Sequence, residues 1–167
     1  MDYKEFYKKA YAIMGESTPL KTDCGVLCGS ACCKGDENTG MLLFPGEPCS
    51  ALAKKPAAAG TLCVCGGKCE RETRPLSCRI FPFFPKITQN GRVKAVFDAR
   101  ALRLCPLLTH CDEIRFDSEF IKKIKKLGYL LSRDEASKAF LQEQNEEIEQ
   151  YAKLLGFGKT YRKRKFR

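Results

Sequence analysis

Apolar residues recur at helical spacing from the start of the chain: Tyr3, Phe6, Tyr7, Ala10, Tyr11 and Met14 share one face, and Lys4, Lys8 and Lys9 lie largely elsewhere. This predicts an amphipathic helix over residues 2–14, ended by Gly15 and Pro19. After a polar turn at GDENTG, MLLFPGE reads as a short apolar strand stopped by Pro45 and Gly46. Residues 50–60, SALAKKPAAAG, show no apolar periodicity. Weakly helical alanines interrupted by Pro56 and closed by Gly60 predict a surface connection there, with Cys49 standing alone before it. In IFPFFP, prolines prevent helix formation. Alternating apolar positions flank Asn90-Gly91, the strongest short hairpin signal in the chain, and predict a β-hairpin over residues 86–97. From Asp117, Phe120, Ile121, Ile124 and Leu127 line one helical face that Gly128 stops. Ser132-Arg133-Asp134-Glu135 then reads as a capping box, opening a helix whose apolar face carries Ala136, Phe140, Ile148, Tyr151 and Leu155 and which ends near Gly156.

These elements predict an α+β protein, a small irregular helix-rich domain with a β-hairpin around a cysteine metal centre. Residues 1–158 form the single domain, with residues 23–106 as its metal-binding part, residues 117–156 as a C-terminal helical hairpin, and residues 159–167 as a basic tail. At 167 residues, the chain is long enough to build an apolar core without a metal. No apolar run approaches the roughly 20 residues needed to cross a bilayer, and the N-terminus lacks a signal-peptide core, so the expectation is a soluble cytoplasmic protein with no membrane partner. The net charge is +10, of which the tail's Lys159, Arg162, Lys163, Arg164, Lys165 and Arg167 supply six. The body is thus close to neutral, and closer still if it holds a divalent ion on four thiolates.

Eleven cysteines carry the chemistry. Cys24, Cys28, Cys32 and Cys33 crowd one small-residue segment, in which Gly25, Gly29, Ser30 and Ala31 let the backbone wrap a small object. In a helix, the spacing of Cys24, Cys28 and Cys32 puts three sulfurs on successive turns, and in a loop it puts them around one turn. Cys65 and Cys69 repeat that spacing, Cys78 follows between Arg74-Pro75 and Arg79, and the hairpin returns the chain with Cys105 as a late ligand. In a reducing compartment, metal ligation explains this density better than a disulfide framework, which an odd count also disfavours. Thiolates select zinc, cuprous copper or iron-sulfur clusters. The segment differs from the cysteine triplet of S-adenosylmethionine radical enzymes, and the chain is short for their barrel.

Two dense segments together carry a resemblance: Cys24, Cys28 and Cys32-Cys33, then Cys65, Cys69, Arg74-Pro75-Leu76-Ser77-Cys78-Arg79-Ile80-Phe81-Pro82 and Cys105-Pro106. This pattern, over residues 23–106, resembles the YkgJ-type cysteine-cluster family, described as a zinc- or iron-chelating domain. The resemblance implies Cys24, Cys28, Cys32, Cys33, Cys65, Cys69, Cys78 and Cys105 as metal ligands and leaves out Cys49, Cys63 and Cys111. The spacing at the first segment and Glu70-Arg71 after Cys69 depart from the family pattern.

His110 is the only histidine, which excludes any triad or facial site that needs two, and it reads as a surface or cap residue. Tyr161 and Phe166 interleave with the basic tail, as in some nucleic-acid-binding segments, although a solvated tail is the simpler reading. The expected function is therefore metal binding, of zinc or of iron as an ion or an iron-sulfur cluster, without catalytic residues. An iron-sulfur-dependent enzyme modifying a protein partner and a nucleic-acid-binding module are the alternatives.

Overall fold

The computed structural model describes residues 2–34, 39–49, 52–67, 70–110 and 114–157. Cys69, Cys111, most of the GDENTG turn and the basic tail lie outside them. The fold is α+β. Helix α1 (Tyr3–Met14) forms where the periodicity predicts it, with the Asp2 carboxylate accepting from the Lys4 N–H at 2.9 Å and Gly15 as its C-cap. Its buried face of Phe6, Tyr7, Ala10 and Met14 packs on α5 (Ser118–Leu131).

At the centre lies an antiparallel hairpin of β4 (Phe83–Ile87) and β5 (Val93–Phe97). The Asn90-Gly91 turn is present, with Gly91 at φ 74°, but β4 begins three residues before the expected start. Phe83, Phe84 and Pro85 are all buried, so both faces of that half of the strand are covered and no apolar-polar alternation marks it. Helices α5 and α6 (Glu135–Leu154) each pack on β4. The expected helical hairpin is therefore two helices laid on a shared β-hairpin. Phe83 and Phe97, with ring centroids 4.4 Å apart, and Phe116, 5.0 Å from Phe83, fill the space beneath α5. Burial of Phe83 and Phe97 contributes about 1.5–3 kcal/mol each, and Phe116 is half-buried.

Four local features depart from the expectations or add to them. Gly128 does not stop α5, which runs through it to Leu131; the hairpin crosses so closely there that a Cβ would lie 2.6 Å from Val93 Cγ1. The cap of α6 is Asp134, whose carboxylate accepts from the Ser137 N–H at 2.9 Å, and its buried face is Ser137, Phe140, Leu141, Gln144, Asn145 and Ile148. Ala136, Tyr151 and Leu155 are exposed. The segment around Cys78, given no element by its pattern, contains a short helix, α3 (Leu76–Ile80), with Pro75 as its N-cap and its end ahead of Pro82.

The fourth feature concerns residues 50–60. Instead of a connection, β2 (Ala53–Ala57) pairs with β3 (Gly60–Val64), which pairs in turn with β1 (Gly40–Leu42). Every residue of β2 is exposed, so no hydrophobic pattern betrays it, and Pro56 is tolerated because β2 is an edge strand.

Candidate metal centre

The first cysteine segment folds into two short turns facing each other. Helix α2 (Cys24–Cys28) is capped by Asp23, whose carboxylate accepts from the Gly25 N–H at 3.0 Å. Gly29 and Ser30 then both take left-handed conformations, φ 57° and 55°, and reverse the chain into a 3-10 turn over Ala31–Cys33. Glycine adopts this conformation freely, whereas Ser30 is the only non-glycine residue to do so among the described residues. The reversal returns Cys32 to the α2 thiols: Cys32 interacts electrostatically with both Cys28 and Cys24.

Two later segments complete the surroundings. Cys78 is carried on α3, whose Ser77 hydroxyl donates to the Leu42 carbonyl at 2.5 Å. Cys105 is the N-cap of α4 (Pro106–Thr109) and interacts with Cys24 and Cys28. Cys24, Cys28, Cys32, Cys78 and Cys105 line a cavity of about 60 Å³, together with Arg71, Arg74 and Arg79. An adjoining cavity of about 230 Å³ has Cys32, Cys33, Cys63, Cys65 and Cys78 in its wall, with Arg74 and Phe81 also shared between the two. The Cys65 thiol lies 3.6 Å from the Cys33 carbonyl oxygen.

Burial is the main force on three of these thiols, Cys24, Cys32 and Cys105. It pushes Cys32 up to about 12, with Cys33, Cys28 and Cys24 adding to the shift, and Cys105 up to about 11. Cys24 is raised by burial and then by Cys28 and Asp23, while Arg71 opposes the shift. A bound cation would supply the charge that lets such thiols give up their protons. Arg71 is the residue missed by sequence reasoning. It reaches the site from a 3-10 turn at Arg71–Thr73, its Nε 3.2 Å from Glu16 and Nη1 3.9 Å from Asp23, a placement that no spacing signals. Arg79 lines the smaller cavity, yet its guanidinium donates to the carbonyls of Arg74 (2.9 Å), Gly15 (3.1 Å) and Glu72 (2.6 Å) and stacks on Tyr11. It ties α1 to α3 as well as bringing charge.

Seven of the eight ligand candidates therefore line two adjoining cavities, and Cys69 lies outside the described residues. The donor set suits a soft metal. However, no three cysteine, histidine or acidic side chains among the described residues stand as a ready-made metal-holding group. His110 is exposed as the C-cap of α4 and lines neither cavity. Cys49, expected in a surface connection, is 7% exposed and lies against Cys63. Among the described residues, no helix is long and apolar enough to cross a membrane. Comparisons with protein-family models, curated proteins and solved structures gave no match for this chain.

Proposed function

We propose that this protein binds zinc or iron, the latter as an ion or as an iron-sulfur cluster, and that it belongs with the YkgJ-type cysteine-cluster proteins that its sequence resembles. The observation that carries this reading is the convergence of Cys24, Cys28, Cys32, Cys78 and Cys105 on one small cavity that Arg71 and Arg74 also line. These five form the nearest ligand set, Cys33 and Cys65 stand at the adjoining cavity, and Cys69 is included on the resemblance. Zinc held by four thiolates would brace the loops and resist exchange, whereas an iron-sulfur cluster would add electron transfer. A reducing, cytoplasmic setting is part of the proposal, since the ligands must remain unoxidised.

A second reading is an iron-sulfur-dependent enzyme acting on a protein partner. In its favour, the cavity of about 230 Å³ has Met41, Leu42, Phe81 and Phe140 in its wall and abuts Cys32, Cys33, Cys65 and Cys78, leaving room for a side chain beside the thiols.

Anaerobic purification, followed by elemental analysis, an absorption spectrum and melting before and after chelation, tests both readings. We expect bound metal whose removal lowers the melting temperature, because a ligand of the native state stabilises it. Metal-free protein whose melting is indifferent to a chelator would sink the proposal, and colourless protein with stoichiometric zinc would remove the enzyme reading.

A further inference from the structure

Two cysteines outside the proposed ligand set meet each other. Cys63 lies in β3, opposite Met41 of β1 and Lys54 of β2, so the ladder holds it on both sides. Cys49 follows the turn at Pro45 and Gly46. Their Sγ atoms are 2.8 Å apart, and the residues are 7% and 2% exposed. With Leu43 they make a small cluster separate from the main core, and Leu52 packs against it. A thiol is a weak donor and a weak acceptor, so hydrogen bonding alone gives little reason to keep two of them face to face. Their positions suit cross-linking better: one sulfur is fixed by strands, and the other sits on a loop that can make the small movement to the roughly 2.05 Å of a bond.

We propose that Cys49 and Cys63 form an oxidative cross-linking site whose oxidant is hydrogen peroxide. Peroxide, close to water in size, suits a buried pair better than a bulky disulfide reagent. One sulfur attacks the peroxide, the O–O bond breaks, and a sulfenic acid forms with release of one water. The second sulfur then displaces the sulfenic oxygen, which leaves as a second water. In sum, two thiols and one peroxide give one disulfide and two waters; the sulfurs lose two electrons, the peroxide gains them, and both thiol protons end in water. A dithiol reverses the bond by exchange. The cross-link would fasten the loop carrying Glu47 to β3, and Cys63 would bring it to the wall of the larger cavity. None of this depends on the metal reading, since neither cysteine is in the proposed ligand set.

The test uses the full chain, purified anaerobically and reduced, with whatever metal it carries. After one equivalent of hydrogen peroxide, it is denatured with an alkylating agent, digested with trypsin and analysed by tandem mass spectrometry. The expected product joins peptide 35–54 to peptide 55–68, with the bond on Cys63 and alkylated Cys65. Closing this loop should raise the melting temperature by about 6–12 °C, a rise that Cys49→Ala and Cys63→Ala should lack. Alkylation of both Cys49 and Cys63 after peroxide, a bond from either to another cysteine, or sulfinic acid at either position would overturn the proposal. The mass analysis of the unaltered chain decides this even if a variant fails to fold.

Discussion

Glu47 accepts a hydrogen bond on Oε1 from the Leu76 backbone N–H at 2.6 Å, joining the loop after β1 to the first turn of the helix that carries Cys78. The same oxygen accepts from the Tyr11 hydroxyl at 2.6 Å, and Oε2 accepts from the Phe44 N–H at 2.9 Å. One buried carboxyl thereby gathers α1, α3 and the loop after β1.

Burial pushes the Glu47 carboxyl above the usual range, against the opposing pull of Tyr11, the two backbone N–H groups and Arg79. Because its pKa is raised on folding, the stability that it contributes is fully present below the unfolded value, about 4.3, and is lost as pH rises through the folded value. In Glu47→Gln, this pH dependence should disappear. The variant should also lose about 1–3 kcal/mol, since an amide NH₂ would confront at least one of three donors. Denaturant unfolding between about pH 4 and pH 8 measures both. An unchanged slope with pH in the variant would reject this role for Glu47.

Cys78→Ser should lower the metal-to-protein ratio, because a hydroxyl is a harder and far less acidic ligand than a thiol in the walls of both cavities. Cys49→Ser should keep that ratio. It should nevertheless cost about 1–3 kcal/mol, more than a surface change would, because the hydroxyl is buried in an apolar cluster. Equal metal ratios in the two variants, measured on identically prepared protein, would mean that the ligands are assigned to the wrong cysteines.

Gly128→Ala should destabilise the fold by about 1–3 kcal/mol, even though alanine is the better helix former. The added Cβ would stand 2.6 Å from Val93 Cγ1 and 2.8 Å from Pro85 Cβ. Adding Val93→Ala should recover part of the loss. A more stable Gly128→Ala protein would reject a close crossing of α5 and the hairpin at Gly128.

Removal of residues 159–167 should leave metal content and melting temperature unchanged, since the segment brings six positive charges but little apolar area. Loss of metal on truncation would link the basic tail to the cysteine site.

The spacing of residues along the chain determined α1, the apolar face of α5 and the Asn90-Gly91 turn, because each rests on contacts within a few residues and so leaves a period or a turn signature. It also singled out every cysteine that lines the two cavities except Cys63, through their density and flanking residues. Packing between distant segments decided the rest. β2 is exposed along its length and exists through its pairing with β3, so no local pattern announces it. Asn145 enters the buried face of α6 because its side chain donates to the Pro85 carbonyl at 3.0 Å, a partner 60 positions away. Arg71 comes to Cys24, and Cys49 to Cys63, by the same kind of long-range placement. A polar or thiol side chain is stable in the interior only when its partner is there to meet it, and where that partner is remote in sequence, only the folded chain identifies it.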